Sequence, residues 1–230
     1  MDQTRAEHMR KTLTAVSMVL APLCFVVSDL LWPVTHTKAA DVLADATGST
    51  GAVYTAMVFG LLGMVFMMGA VLGLAHMLHE RRPGMAMTGA GLALIGILGI
   101  AGGITGSGLV LFEAAQPKRD TAAMVSLIHD LYRSAVPILI VTLLLSVGVV
   151  VMAVGLYMAR VVAQWSAALI GIAAVAIGIC QPLAFKPGIV IADVVLLAGL
   201  GSIGWTVLAE TDEEWEHTPQ FHGFARPAMG

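Results

Sequence analysis

GAVYTAMVFGLLGMVFMMGAVLGLAHML, residues 51–78, carries no Asp, Glu, Lys or Arg. As a helix it would rise about 42 Å at 1.5 Å per residue, whereas the hydrocarbon core of a bilayer is about 30 Å thick. A run this long and this apolar reads as a membrane-spanning helix. Five further apolar stretches accompany it, at 12–32, 87–114, 135–159, 163–184 and 188–209. Their hydrophobicity is continuous rather than alternating, which excludes a transmembrane barrel. The chain of 230 residues is 58% hydrophobic and 12% charged, with a mean hydropathy of +0.87. A soluble domain carries about 25% charged residues, so the missing charge decides the class. The expected fold is all-α: a polytopic integral membrane protein with six transmembrane helices in three hairpins. Six spans and short loops leave no length for a soluble catalytic domain.

Three parts are expected: a cytoplasmic N-terminal segment at 1–11, the six-helix domain at 12–209, and an acidic, flexible tail at 210–230. Arg5, Arg10 and Lys11 precede the first apolar run, as in a signal peptide. That run is longer than the roughly 7–15 residues of a signal-peptide core, so an uncleaved first span is expected. It closes at Trp32-Pro33. The second span closes at His79-Glu80-Arg81-Arg82-Pro83-Gly84, a polar turn with a helix-stopping proline. Gln116-Pro117-Lys118-Arg119 follows the third span, and a tight Lys186-Pro187 turn separates the last two.

Two connections are more than turns. In 37–47, Ala39, Val42, Leu43 and Ala46 share one helical face, opposite Lys38, Asp41 and Asp45, with Gly48 as a stop. In 120–134, Met124, Ile128, Leu131 and Ala135 oppose Ser126, His129, Asp130 and Arg133. Both read as short amphipathic interfacial helices. The second is expected to run into the fourth span with a bend at Pro137. Arg5, Arg10, Lys11, Arg81, Arg82, Arg160 and Arg226 fall on one side of the spans, and Lys38, Lys118, Arg119, Arg133 and Lys186 on the other. The bias places both termini in the cytoplasm.

Small residues indicate how the helices pack. The third span holds Gly99-x-x-x-Gly103 and Gly102-x-x-x-Gly106, and the second holds Gly69-x-x-x-Gly73. The first span aligns Ser17, Ala21, Cys24 and Ser28. Such spacing lets backbones approach closely. It makes the third span the expected centre of the bundle, with a homo-oligomer seam through the Gly-rich helices as the alternative use.

Three acids lie at membrane depth: Asp29, Glu113 and Asp193. An ionisable group in hydrocarbon costs several kcal/mol and marks a paired or functional site. With termini inside, all three map to the outer half, Asp193 about 8 Å into the last span. Tyr54, His129, Asp130 and Gln181 map to the same side. Turned inward, these groups would line an outward-opening polar cavity with an apolar floor. Asp193, Glu113 and Asp29 are then the candidate catalytic residues, and Tyr54, His129, Asp130 and Gln181 the candidate substrate contacts. The acids have three options: to be protonated, to pair with Lys38, Arg133 or Lys186, or to hold a cation or water.

Other chemistries find no support. Cys24 and Cys180 lie inside spans without metal-ligand or redox spacing. His76 and His79 sit at a span end, and nothing in the spacing of His36 and His129 enforces a zinc site. No phosphate loop, dinucleotide fingerprint, nucleophile elbow or HExxH is present. No metal and no cofactor is therefore expected. Net charge is −3 with no basic block, so nucleic acid is not an expected partner.

The phrases Trp32-Pro33, Thr37-Lys-Ala-Ala-Asp-Val-Leu-Ala-Asp-Ala, Leu-Ile-His129-Asp130-Leu-Tyr and Ala159-Arg160-Val-Val-Ala-Gln-Trp165 carry a resemblance. In layout the chain resembles a group of uncharacterised six-helix bacterial membrane proteins, the DUF4386-like group. That resemblance spans most of 12–209. It implies the fold and a bacterial cell (inner) membrane location, with no activity or site residues to carry over. The reading from the residues is a multi-pass membrane protein whose outer-leaflet polar cavity binds or transforms a small lipid-like molecule by acid-base chemistry. The alternatives are a proton- or cation-coupled transporter and a non-catalytic membrane accessory or scaffold protein. The expected partners are the lipid bilayer and a small amphiphilic ligand.

Overall fold

The computed structural model describes residues 3–211 other than 118 and 135. Lys118, Ala135, the Pro137 side chain and the tail beyond Thr211 all entered the expectations above and lie outside the described residues. The described residues form eight helices and no strand: α1 (Gln3–Leu31), α2 (Ala39–Gly48), α3 (Thr50–His79), α4 (Pro83–Ala114), α5 (Thr121–Ser134), α6 (Val136–Ala159), α7 (Gln164–Cys180) and α8 (Lys186–Ala209). Five are long and apolar enough to cross a membrane: His8–Leu31 within α1, then α3, α4, Ile140–Ala159 within α6, and α8. The described part of the protein is thus all-helical and consistent with an α-helical membrane protein.

The helix ends follow local chemistry. α1 starts at Gln3, well before the apolar run, because hydropathy marks membrane depth and not the start of helical backbone. α4 and α8 begin one residue or so around a proline, Pro83 and Pro187, where the missing N–H would have had no helical partner anyway. α7 is shorter than expected, 17 residues instead of a run to 184. Pro182 cannot continue its hydrogen-bond ladder. The helix closes in a Schellman arrangement: Phe185 N–H donates to Cys180 O at 3.0 Å, Ala184 N–H to Gln181 O at 3.0 Å, and Ala184 takes φ 51°.

Six helices form a closed ring in the order α1, α3, α4, α6, α7, α8, and back to α1. The main core lies within it, with Met18, Met67, Leu74, Leu78, Ile97, Met152, Leu156, Ile170, Leu200 and Ile203 almost fully buried. A second core sits at one end, where α2 and α5 meet the end of α4: Val42, Leu43, Ala46, Val53, Leu111 and Ile128. The apolar faces of α2 and α5 are therefore buried on protein. Outside the ring, large apolar side chains face outward, among them Val65, Leu98, Ile140, Ile172 and Ile191.

The Gly-rich α4 is not the centre. Only 22% of its apolar window is buried, against 50% for α3, because α3 has α1 and α4 on its flanks and touches α6 across the ring. The glycines of α4 divide between two faces. Gly89 and Gly96 lie against the α6 backbone at Gly148, Met152 and Leu145, whereas Gly102 and Gly106 have open space where a side chain would go. On the other side of α3, Gly60, Gly69 and Gly73 receive Ser28, Ser17 and Thr14 of α1.

The α4–α6 seam yields a test. A Cβ on Gly148 would stand 2.5 Å from the Gly89 carbonyl oxygen and against the Ala93 backbone, neither of which can rotate away. Gly148→Ala is expected to destabilise the bundle by about 1–3 kcal/mol. Gly91→Ala, in open space, should be neutral or gain up to about 1 kcal/mol. Thermal denaturation in detergent measures both, and equal melting temperatures for the two variants would show that the seam is looser than described.

Candidate functional site

α1 and α8 run antiparallel, and each end of their contact is closed by a lysine. At the end nearer the termini, Lys11 is 5% exposed and donates to the Glu210 backbone oxygen at 2.8 Å. At the opposite end Lys186, in the first turn of α8, donates to Trp32 O at 2.6 Å and Leu30 O at 3.3 Å. Those carbonyls belong to the end of α1, where helical acceptors run out of intrahelical donors and the helix dipole favours a cation.

Just below Lys186 the structure brings Asp29 of α1 and Asp193 of α8 together. Their carboxyl groups are in hydrogen-bond contact, and the Lys186 charge acts on Asp29. Asp193 is 2% exposed, and Asp29 is half-buried. A carboxylate has no donor, so two carboxyl groups can hydrogen bond only with a proton between them. One carboxyl oxygen of Asp193, Oδ2, is buried with solvent on no side, and no N–H or hydroxyl group among the described residues donates to it. A buried acceptor is costly to leave unserved, which makes the proton shared with Asp29 the group at hand to serve this carboxyl. Two carboxyl groups with one shared proton, near an ammonium, can hold or exchange a proton.

The other residues singled out from the sequence lie elsewhere. Glu113 does not join the pair: Arg119 Nη2 donates to its Oε2 at 2.6 Å, and the two side chains are 59% and 51% exposed. Its position at the helix end lets a basic residue on the following loop fold back to it. Tyr54 packs against Phe112 with the two rings tilted at 50° and their centres 5.6 Å apart, at the second core. His129 and Asp130 lie exposed on α5. Gln181 is exposed and lines a shallow cleft between α4, α6 and α7, with Thr142, Ser146, Ile100 and Ile177. Among the described residues, no three His, Cys, Asp or Glu side chains gather closely enough to hold a metal ion. The acids therefore form a pair on one seam and a separate surface ion pair.

Sequence reasoning passed over two features. Lys11 reads from the sequence only as one of three basic residues ahead of the apolar run, yet it is buried against the end of α8. Its position one turn before the apolar face of α1 was the available signal. His36 reads as a loop histidine, yet its Nδ1 lies 3.0 Å from Asp45 Oδ2, and the Thr35 backbone N–H donates to the same oxygen at 3.1 Å. This network pins the α1–α2 connection.

No protein-family model, curated protein or solved structure matches the chain.

The His36–Asp45 pair predicts a pH dependence. The hydrogen bond to Asp45, and then its charge, hold His36 above the ordinary imidazole range. The same hydrogen bond holds Asp45 below the usual carboxylate range. A raised histidine contributes stability that is complete below its unfolded value and is lost as pH rises through the folded one. A lowered aspartate contributes stability present above its unfolded value and lost as pH falls through the folded one. Loop pinning is thus complete between about pH 4 and pH 6.5 and weakens on either side. In an NMR titration, Asp45→Asn should lower the His36 midpoint; an unmoved midpoint would mean the two side chains do not pair in solution.

Proposed function

We propose that the chain crosses a bacterial inner membrane six times, through α1, α3, α4, α6, α7 and α8 in three hairpins, with α2 and α5 at the outer interface and both termini in the cytoplasm. Aromatic side chains support this reading. Tyr157, Trp165 and Trp205 are exposed at one level of the bundle, and Tyr54, Tyr132 and Phe185 at the other, as aromatic residues gather at both membrane–water boundaries. α7 rises about 25 Å, close to the lower limit of roughly 17 residues for a span, and its neighbours on both sides, α6 and α8, each hold a stretch long and apolar enough to cross a membrane. The Lys and Arg bias supports the orientation. Membership of the DUF4386-like group is part of the same proposal and concerns fold and location alone.

Within that frame, the working centre proposed is the Asp29–Asp193 pair, which binds a small lipid-like molecule and acts on it as an acid-base group. The observation that carries this is the burial of Asp193, at 2% exposure, against a second carboxyl group, with no N–H or hydroxyl among the described residues donating to its Oδ2. Proton-coupled transport is the second reading, because the same pair holds a transferable proton. It ranks lower on distance. The next polar contact toward the cytoplasmic side is Ser202 Oγ to Ser166 Oγ, 2.8 Å long. It lies about 13 Å along α8 from Asp193, past buried Leu196, Leu200 and Gly199. No hydrogen-bonded path among the described residues bridges that stretch.

Two experiments test these proposals. In a cysteine-free background, a cysteine at Asp120 should react with an impermeant maleimide on intact cells, and one at Gly84 only after permeabilisation; the reverse result inverts the topology. Separately, bacterial lipids and single-chain amphiphiles should raise the melting temperature of the purified protein. A ligand at a hundred times its dissociation constant adds about 2.7 kcal/mol. Asp193→Asn should abolish that gain, and an undiminished gain in the variant would remove the pair from ligand binding.

A further inference from the structure

Acceptors gather at the upper rim of the α1–α8 seam. Leu30 O and Trp32 O end α1, the Asp29 carboxyl lies beneath them, and the buried Asp193 carboxyl stands against it, with no N–H or hydroxyl among the described residues donating to its Oδ2. The group among them that supplies positive charge is the ammonium of Lys186, with its three N–H donors. It arrives on a flexible four-carbon stem from the outermost turn of α8 and is only half-buried. Leu30 and Ile191 expose large apolar side chains on the same two helices near this level, at 58% and 65%.

Two carbonyls at a helix C-terminus, a carboxylate and a further buried acceptor form a receptor for an ammonium group. A guanidinium is planar and wider, and a quaternary ammonium brings no N–H to satisfy the carbonyls. The occupant here is the protein's own side chain. Because Lys186 is tethered, it competes as a ligand at high effective concentration. Anything of the same chemistry that arrives from the outer leaflet must displace it, and its apolar chain can then lie along the exposed leucine and isoleucine surface of α1 and α8.

We propose that the Asp29–Asp193 site takes the headgroup of a primary-amine amphiphile, and that Lys186 is a built-in occupant which this headgroup displaces. This rests on the reading of the pair as the ligand site and names the class of ligand. It also gives Lys186 a gating role. With the lysine in place the carbonyls of α1 are capped and its charge acts on Asp29. With the lysine out, the ligand ammonium supplies the same hydrogen bonds and the same charge, so the exchange is close to balanced.

The test uses the full chain in a mild detergent with dodecylamine, dodecyltrimethylammonium and dodecanol as probes, read by thermal stabilisation. If Lys186 fills its own site at least nine-tenths of the time, its removal raises apparent affinity about tenfold or more. Lys186→Met should therefore bind dodecylamine at least that much more tightly than the wild type. If Lys186→Met alone is poorly folded, because Asp29 has lost its counter-charge, dodecylamine should restore its melting temperature. The double variant Asp29→Asn with Lys186→Met, which removes both charges, should fold and show no response to the amine. Dodecyltrimethylammonium should stabilise Lys186→Met far less than dodecylamine does. Equal stabilisation by the two cations, the same effect from sodium or potassium chloride, or no gain on removing Lys186 would each overturn the inference. If dodecanol stabilises the protein in an Asp193-dependent way while dodecylamine gains nothing from Lys186→Met, the ligand site stands and its assignment to amines falls. If no amphiphile depends on Asp193, both fall.

Discussion

Lys186 reaches from the first turn of α8 to the last carbonyls of α1, and Lys11 makes the reciprocal reach from α1 to the end of α8. Between these two contacts the first and last helices are sealed into one antiparallel seam, and the ring of six closes. A charge-assisted hydrogen bond contributes about 1.5–3 kcal/mol, more than a neutral one, and each lysine here also satisfies carbonyls that the helix itself cannot. Helix association in lipid has no hydrophobic drive between surfaces that are equally apolar. Polar closures at the ends of a seam, with small residues along the other seams, are the means left for specifying which helix lies beside which.

The same seam gathers the polar atoms that do not serve packing. Ser17 and Ser28 on α1 turn toward α3, where glycines make room for them, and Ser28 donates to the Ala56 carbonyl at 2.9 Å. Asp29, the next residue, is rotated by about 100° on the helix and so meets α8 instead of α3. One residue of sequence therefore separates a packing hydroxyl from the carboxyl pair. Deep burial of Asp193 is tolerable because a proton shared with Asp29 leaves the pair one charge instead of two, and the Lys186 charge acts on Asp29, whereas a lone carboxylate there would be uncompensated.

Much of this was legible in the chain. The run at 51–78 announces a long buried helix, and the scarcity of charge makes Asp29 and Asp193 conspicuous without any structure. The amphipathic faces of 37–47 and 120–134 were visible too, because Val42, Leu43, Ala46 and Ile128 recur at helical spacing. The order of helices around the ring was not. Spans that are apolar on every side offer no face to read, so periodicity cannot say that α8 returns to α1. Glu113 looked equivalent to Asp29, since both lie near the end of a span and depth along a span was the available measure. What separates it is Arg119, which is placed by the turn after α4 and not by any pattern within it. The central role expected of α4 failed for a related reason: glycine spacing signals close approach, but not whether the approaching surface is a neighbour or open space.

The pairing of the first and last helices also sets a timetable for synthesis. Asp29 leaves the ribosome 164 residues before Asp193, which at ordinary elongation rates of about 5–20 residues per second is an interval of roughly 8–33 s. Throughout that interval α1 has neither its carboxyl partner nor the lysine that caps it. A nascent chain in this condition needs a temporary companion for one carboxyl group, whether water at the bilayer edge or a groove in the insertion machinery, until the final hairpin arrives to take it over.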